Sequence, residues 1–322
     1  MSGIKRIALL VGINDYNWDG GQLQGCINDA KSMEEMLSDH HDGAPNFHCK
    51  RLTSDETRID QKKLRKSIEE LFSKEMDIVL FYFSGHGTEK NLDGYLVTQD
   101  AEKYKEGVSV SEIINLANSS DKVKEILIVL DCCHSGHLGN IPNMKGEPAL
   151  LRKGVSILTA SLPNEYAVER DGQGLFTKTI LEGFSGGAAD TLGNVTAASL
   201  YNYVDKMLGP WEQRPVFKSH VTEMTNLREC APKVSKENIR KLTDYFPDAD
   251  YNYPLDKSYE STEQPKSEEN EAIFNILQKF TAAGLVQPNG EEHMYFAAMN
   301  EKSCSLTALG KFYWQQVKNR KI

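Results

Sequence analysis

The stretch IVLFYFSGHG, residues Ile78–Gly87, decides the fold, because it joins an apolar run to a small, polar end. The apolar residues follow one another without polar alternation, which is typical of a strand buried on both faces of a parallel sheet. The stretch Ile126–Gly136, ILIVLDCCHSG, repeats this arrangement. Since the carboxyl ends of parallel strands lie at one edge of a sheet, we expect His86 to come close to the adjacent cysteines Cys132 and Cys133.

Two further apolar runs and four helical patterns extend this interpretation along the chain. The runs are Ile7–Ile13 and Val155–Ala160, and the helical patterns cover Asn28–Ser38, Asp60–Phe72, Val110–Ala117 and Leu175–Phe184. Strands that alternate with helices predict an α/β fold, with a mostly parallel sheet that carries helices on both faces.

Composition excludes several classes of protein. The chain has 322 residues, 39% hydrophobic and 26% charged, so it is neither disordered, nor collagen-like, nor a coiled coil. Its net charge of −9 makes nucleic acid an unexpected main partner. No apolar run is long enough for a membrane span, and the run that starts at Ile7 is too short for a signal peptide. Six cysteines in 322 residues are too few for a disulfide scaffold. We therefore expect free thiols in a reducing compartment and a cytoplasmic protein.

The composition changes near residue 230. Asp244–Glu271 carries nine acids and two lysines, which predicts a linker or a loosely packed arm. Beyond it, a helical pattern, a turn, a strand-like segment at His293–Met299 and a closing helical pattern resemble a winged helix. We therefore predict an α/β domain over 1–230, an acidic arm over 231–270 and a winged-helix-like domain over 271–322.

The two motif ends supply an imidazole and a thiol. A cysteine thiol is mostly protonated at neutral pH, so a catalytic cysteine needs a neighbouring imidazole to take up its proton. Glycines beside both groups allow a substrate backbone to approach closely. The pattern points to nucleophilic catalysis, and the alternative is a buried structural cysteine with a core histidine.

SGHG at 84–87 and DCCHSG at 131–136 together resemble the motifs of the caspase and metacaspase superfamily of cysteine peptidases. The second motif is closer to the metacaspase form, because Asp131-Cys132 stands where animal caspases have Gln-Ala. Segments that begin at residues 23, 94, 159 and 174 also resemble this family: LQGCINDAKSMEEML, GYLVTQDA, TASLPNEYAVE and GLFTKTILEGFSG. The resemblance covers residues 4–220 and implies a caspase-like fold, closest to bacterial metacaspase-type proteins.

The resemblance implies a catalytic dyad, with Cys133 as the nucleophile and His86 as the general acid and base. The backbone N–H groups of Gly87 and Cys133 would form the oxyanion hole. Cys132 is then the upstream neighbour of the nucleophile, and His134 is expected to have a structural role. No third catalytic residue is evident from the sequence.

The resemblance also implies the substrate, a protein or peptide with Arg or Lys at the P1 position. Asp29 and Asp131 match the acids of the metacaspase P1 pocket, and Cys26 and Ser84 match its walls. Two carboxylates that face one cavity repel each other until a cation arrives, which suits a basic side chain. The alternative for Asp29 is a helix N-cap, and the two roles are compatible.

No cofactor is predicted. Many metacaspases carry an acidic calcium site after the SGHG motif, but the candidates here are only Asp93 and Asp100. A Ca²⁺ site takes about six to eight oxygen ligands, and both aspartates are more typical of turns. We therefore predict no metal ligand and keep calcium dependence as the alternative.

The segment 137–153 is rich in Gly and Pro, which predicts an exposed loop after the nucleophile. It contains the basic residues Lys145, Arg152 and Lys153. The sequence is equally compatible with self-cleavage at one of these residues and with a loop that stays uncut.

Three functions compete at this point. The first is an endopeptidase that a signal or partner activates, in a bacterial stress or phage-defence pathway. The second is an inactive caspase-like scaffold, against which the intact His86 and Cys133 argue. The third is a DNA-binding regulator, because 272–322 carries six basic and three acidic residues. We prefer a protein-interaction or sensing role for that segment, since its positive charge is small.

Overall fold

The computed structural model describes residues 4–18, 21–90, 93–102, 105–132, 151–160, 169–170, 172–209, 215–221 and 224–322. The chain divides into two compact units. The first comprises the chain up to Ala189 together with Asn194–Cys230, and the second comprises Asp190–Gly193 together with Ala231–Ile322.

Strands and helices alternate along the first unit. In chain order its elements are β1 (Arg6–Gly12), α1 (Cys26–Ser38), β2 (His48–Thr53), α2 (Gln61–Phe72), β3 (Met76–Gly85), β4 (Gly87–Lys90), β5 (Asp93–Glu102), β6 (Lys105–Ser109), α3 (Val110–Ser119), β7 (Val123–Cys132), β8 (Val155–Thr159), β9 (Glu169–Arg170), β10 (Gln173–Gly174), α4 (Leu175–Glu182), β11 (Asn194–Val195), α5 (Ala197–Leu208), β12 (Val216–His220) and β13 (Arg228–Glu229). A π-helical turn at Gly183–Gly187 follows α4.

The central sheet is mostly parallel, as predicted. Among the described residues, six strands pair in the order β12-β8-β7-β3-β1-β2. Each neighbouring pair is parallel except β12 with β8, which is antiparallel. β3 lies between β1 and β7, and all its residues from Ile78 onward are buried. The apolar run that opened the sequence analysis is therefore an interior strand.

Side-chain alternation along β3 divides the core into two halves. Phe81 and Phe83 pack in a cluster with residues of α2 and α3 on one face of the sheet. Leu80 and Tyr82 pack in a second cluster with residues of α1, α4 and α5 on the other face. A strand that is apolar on both faces must be covered on both, so this run requires two helical layers.

Helix α1 begins earlier than its pattern predicts. The Ile27 N–H donates to Asn14 Oδ1 over 3.1 Å, so a side chain from outside the helix caps it and the helix starts at Cys26. Asp29 therefore lies inside the first turn. The N-cap alternative for Asp29 is wrong.

The second unit mixes helices with a small antiparallel sheet. Its elements in chain order are α6 (Lys236–Arg240), α7 (Leu242–Tyr245), β14 (Tyr253–Pro254), α8 (Glu268–Ala282), β15 (Val286–Asn289), α9 (Met294–Met299), β16 (Ser303–Leu306) and α10 (Ala308–Lys318), with a 3₁₀ turn at Lys257–Tyr259. The sheet order is β14-β16-β15. In the parts of the chain that the structure describes, none of the helices combines the length and apolar character needed to cross a membrane.

The prediction of an acidic arm over 231–270 is wrong. Leu242, Phe246 and Leu255 are buried in the core of the second unit. The Trp314 indole N–H of α10 donates to the Phe246 carbonyl over 2.6 Å. The apolar residues of this segment are widely spaced among charged ones, so its average composition hides the core that they form.

The strand predicted at His293–Met299 is also wrong, because most of this segment forms α9. Its buried residues, Met294, Ala297 and Ala298, are three and four positions apart, which is helical spacing. Short apolar runs do not distinguish a helix from a strand. The order helix, strand, helix, strand, helix replaces the predicted one, and the likeness to a winged helix stays a prediction.

The buried position of Phe246 can be tested by its stability effect. We expect Phe246→Ala to lower the free energy of unfolding of the second unit by about 3–5 kcal/mol, because it leaves a cavity in a closed core. Chemical denaturation of the full chain measures this loss, followed by fluorescence in a background in which the two other tryptophans, Trp18 and Trp211, are replaced by Phe so that Trp314 alone reports. Asp244→Ala, at an exposed site nearby, should change it by less than about 0.5 kcal/mol. Equal, small effects of both variants would contradict the packing.

Candidate active site

The candidate site lies at the edge of the sheet where β3 and β7 end together. The two strands are parallel neighbours, and Gly85 stands beside Cys132 in their register. His86 is the next residue of the chain after Gly85, and Cys133 is the next after Cys132. Cys133 and His134 lie outside the described residues. The register therefore places Gly85 and Cys132, the residues directly before His86 and Cys133, side by side at the edge of the sheet.

The imidazole of His86 is held from several sides. Its Nε2 is 2.9 Å from the carbonyl oxygen of Gly21, and its backbone N–H donates to the Tyr16 hydroxyl over 2.8 Å. The ring centroid lies 4.7 Å from that of Tyr16 and 5.6 Å from that of Trp18. The segment before α1 therefore orients the histidine.

The Gly21 carbonyl decides the tautomer of the ring. A carbonyl oxygen accepts and never donates, so Nε2 must carry the proton in this contact. In the neutral ring, Nδ1 is then the basic nitrogen. A backbone carbonyl has no side-chain signature, which is why sequence reasoning found no third group for the dyad.

Asp29 and Ser84, two residues of the predicted pocket, are in direct contact. The Ser84 hydroxyl donates to Asp29 Oδ2 over 3.0 Å, and the Gly174 N–H donates to the same carboxylate over 3.1 and 3.3 Å. Asp29 is 1% exposed. Hydrogen bonds of this kind stabilise a carboxylate away from water.

Asp131 sits beside Ser84 in the strand register and receives a hydrogen bond from α4. The Thr177 hydroxyl donates to Asp131 Oδ2 over 2.6 Å, so the Tyr82 hydroxyl, 2.6 Å from the Thr177 oxygen, is the donor to Thr177. Burial first, and then the charges of Asp29 and Asp131, hold the pKa of Tyr82 well above its usual range. Tyr82 therefore stays protonated and donates at any physiological pH.

Gly174 is the point where the two carboxylates converge. A Cβ atom at this position would lie 2.6 Å from Asp131 Oδ2 and 3.1 Å from Asp29 Oδ2, so the two oxygens are within about 6 Å of each other. Only glycine leaves that space open. The sequence analysis did not identify Gly174, Thr177 or Tyr82 as site residues. A glycine followed by a threonine one helical turn later is the pattern that could have identified them.

The other predicted site residues occupy different surroundings. Cys26 is buried in the first turn of α1, three residues before Asp29. Gly87 opens β4 and pairs with Leu96 of β5. Cys132 is 1% exposed and packs in the cluster on the α2 and α3 face. Strand alternation thus separates Cys132 from Asp131, its neighbour in sequence.

Burial raises the pKa of three further thiols, which disfavours the thiolate form that a nucleophile needs. Burial raises the pKa of Cys49 to about 11 and that of Cys304 to about 12. Burial also raises the pKa of Cys230. Such thiols stay protonated and behave as small apolar side chains.

Asp93 and Asp100 lie in β5, not in turns as predicted, and each carboxylate binds a helix N-terminus. Asp93 accepts from the Ser111 N–H over 3.3 Å and hydroxyl over 2.9 Å in the first turn of α3. Asp100 accepts from the Gln61 N–H at the start of α2 over 2.9 Å. Across the described residues, no group of three or more His, Cys, Asp or Glu side chains could hold a metal ion.

The predicted loop 137–153 lies outside the described residues as far as residue 150. Arg152, which follows, donates from its guanidinium to the carbonyls of Ala117, Val123 and Lys153 over 2.9, 2.8 and 2.7 Å. A side chain with these three bonds would have to give them up to enter an active site. Arg152 is therefore the least suitable of the three basic residues for self-cleavage.

Known proteins share both sequence and fold with this chain. Metacaspase-3 of Arabidopsis thaliana is 34% identical over 155 residues, which is 43% of this chain and 42% of the relative. Metacaspase-1A of Aspergillus oryzae is 28% identical over 167 residues, 46% of this chain and 38% of the relative. The chain thus spans about two fifths of the length of these curated relatives.

Two solved structures and one family model also match this chain. Caspase-1 from Spodoptera frugiperda superposes with a TM-score of 0.52 at 13% identity, over 71% of this chain and 93% of that one. A protein from Geobacter sulfurreducens gives 0.52 at 18% identity, over 70% of this chain and 100% of that one. The family whose model matches is the caspase domain, over residues 5–225.

The orientation of His86 can be tested by NMR. We expect its neutral ring to carry the proton on Nε2, because the Gly21 carbonyl accepts it. Long-range ¹H–¹⁵N spectra of the full chain distinguish the two tautomers, and His86→Gln identifies the signal. Predominant protonation of Nδ1 would contradict the contact.

Proposed function

Because the chain belongs to the caspase-domain family, we propose that it is a cysteine endopeptidase with Cys133 as nucleophile and His86 as general acid and base. The observation that carries this proposal is the register in which β3 and β7 end, with Gly85 beside Cys132. One residue further along, the two segments supply an imidazole and a thiol. The fixed orientation of His86 supports its role in proton transfer.

The chemistry proceeds through a thioester. The Cys133 sulfur attacks the carbonyl carbon of the P1 residue, and its proton passes to His86. The negative oxygen of the tetrahedral intermediate would accept hydrogen bonds from the N–H groups of Gly87 and Cys133. The C–N bond then breaks while His86 returns its proton to the leaving amine. Water, deprotonated by His86, finally attacks the thioester and releases the carboxylic acid product and the thiol.

We propose that Asp29 and Asp131 bind an Arg or Lys side chain at P1, with Cys26 and Ser84 as walls. The hydrogen bonds described for both carboxylates come from neutral donors: Ser84, the Gly174 N–H and Thr177. A guanidinium between two buried carboxylates would add the opposite charge and several N–H donors. These pocket acids come from α1 and β7, so the pocket depends on the packing of α1 against the sheet.

The setting proposed for this activity is a reducing cytoplasm, where a nucleophilic thiol stays reduced. The second unit would then serve as a protein-interaction or sensing module that couples the peptidase to an activating signal. A role in bacterial stress or phage defence follows from the family resemblance alone. Calcium dependence stays an alternative for the assay to decide.

The proposed specificity gives a direct prediction. We expect the wild-type protein to cleave peptides with Arg or Lys at P1 and to leave matched Asp peptides intact. Cys133→Ala and His86→Ala should each lower kcat/KM by at least about 10³-fold. Internally quenched peptides, assayed with and without Ca²⁺, measure these rates.

The neighbouring thiol provides the control for that experiment. Cys132→Ala removes a cysteine one residue away that packs in the core, so it should keep most of the activity. Cleavage of the Asp peptide alone would contradict the acidic pocket. Absence of any cleavage, or equal loss in Cys132→Ala and Cys133→Ala, would contradict the peptidase proposal.

The convergence at Gly174 gives a second prediction. Gly174→Ala should lower kcat/KM for Arg peptides by about 10²-fold, because the new methyl group occupies the space between the two carboxylates. Its backbone, with φ −65° and ψ 131°, suits alanine, so any loss of stability comes from the displaced Asp131 carboxylate and not from backbone strain. Gly43→Ala is the inverse control: its φ of +81° strains the backbone, but nothing lies within 4 Å of the new Cβ. Gly43→Ala should therefore lose stability and keep its kcat/KM. Unchanged cleavage of Arg peptides by Gly174→Ala would contradict the proposed pocket.

A further inference from the structure

A groove of about 330 Å³ lies beside Trp18, whose ring packs against that of His86. Its volume is at the small end of ligand sites, which suits a side chain better than a whole cofactor. The residues that line it are Trp18, Thr88, Val97, Ala101, Glu102 and Glu106.

The groove arises from a break in the pairing of β5 with β6. Val97 pairs with Gly107 and Glu102 pairs with Lys105, so four residues of β5 face a single residue of β6. The extra residues bulge out of the ladder and leave an opening. Gly107 is required beside the bulge, because its φ is +138° and a Cβ there would lie 2.0 Å from the Leu96 carbonyl oxygen.

Gln99 fixes the bulge to the rest of the unit. Its side-chain oxygen accepts from the Ile59 N–H over 2.7 Å, and its side-chain N–H donates to the Asp15 carbonyl over 2.9 Å. The backbone carbonyl of Gln99 accepts from the Asn17 side-chain N–H over 2.7 Å. Asn17 directly precedes Trp18, so the same contacts hold one wall of the groove. The groove is therefore a built feature of the fold.

The groove is continuous with the surroundings of His86. The Val97 N–H donates to the His86 carbonyl over 3.0 Å. The Trp18 ring lies 5.6 Å from the imidazole ring, centroid to centroid. Val97 belongs to the core cluster on the α2 and α3 face, whereas Asp29 lies on α1, which covers the opposite face. The groove and Asp29 thus belong to opposite faces of the sheet, and Trp18 and Val97 of the groove both contact His86.

The chemistry of peptide cleavage assigns a direction to this arrangement. The general acid gives its proton to the nitrogen of the leaving amine, so the leaving part of the peptide must lie on the imidazole side. The P1 side chain, on the other part, points to the acidic pocket. A groove that shares a wall with the imidazole is therefore on the leaving-group side.

Resting on the proposed peptidase function, we propose that this groove is the subsite for the side chain that directly follows the scissile bond, the P1′ residue. It takes an apolar side chain such as Leu or Phe, because Trp18, Val97 and Ala101 supply apolar contacts. The exposed Glu102 places negative charge at its rim, whereas an ion pair with Lys90 balances the charge of Glu106. An acidic P1′ residue is therefore disfavoured.

The test compares peptides that share Arg at P1 and differ only at P1′, with Leu, Phe, Gly or Asp. For the wild-type full chain we expect kcat/KM to be about tenfold or more higher for Leu and Phe than for Gly, with Asp lowest. Ala101→Phe, which fills the groove, should bring the ratio of Leu to Gly close to one. Glu102→Lys should raise the relative rate for Asp, and Glu69→Lys, the same charge change at an exposed site on α2, should leave every ratio unchanged.

The outcomes separate this proposal from the proposed function. If the protein cleaves no Arg peptide, the peptidase function fails and the subsite fails with it. If it cleaves Arg peptides but treats Leu and Gly at P1′ alike, the function stands and the subsite is refuted. The subsite is also refuted if Ala101→Phe and Glu102→Lys both leave the P1′ ratios as in the wild type.

Discussion

Main-chain pairing between β3 and β7 holds the candidate site in place. The two strands run parallel through the middle of the sheet and end side by side, so their registers determine which residues meet at the edge. A shift of β7 by one residue would turn Asp131 toward the α2 and α3 face and Cys132 toward the acid pocket. The apolar side chains on both faces of β7 resist such a shift, because each is already buried in one of two clusters. Packing in the interior therefore fixes the chemistry at the edge.

The two faces of the sheet have different roles at that edge. On the α1 and α4 face, buried hydroxyl groups of Tyr82 and Thr177 form a chain that ends on Asp131. On the α2 and α3 face, aromatic rings before α1 pack against His86. Burying a carboxylate costs free energy that hydrogen bonds from neutral groups offset only in part. The hydroxyl and N–H donors around Gly174 therefore contribute to keeping two carboxylates buried side by side.

Much of this arrangement could be predicted from the sequence. Apolar runs without alternation identified the strands, and the residues after two of them pointed to His86 and the adjacent cysteines. The pocket acids Asp29 and Asp131 were predicted from the family resemblance. The Gly21 carbonyl and the groove beside Trp18 could not be predicted, because backbone groups and a register break leave no residue-type pattern. The second unit was misjudged for a different reason: the many acids of its first segment hid apolar residues at helical spacing, such as Leu242 and Phe246. The burial of Phe246 is evident only from its partners on distant elements, such as Trp314.

The four residues Asp190–Gly193 have a consequence for how this chain could have been assembled. They belong to the second unit although residues of the first unit flank them on both sides. The Thr191 carbonyl accepts from the N–H groups of Lys233 and Val234 over 3.1 and 3.4 Å, and Leu192 packs against the core of the second unit. The accessory unit is thus not a simple tail that a gene fusion could add or remove at one junction. A cut after Cys230 would leave Thr191 and Leu192 without the N–H groups and the core that they contact.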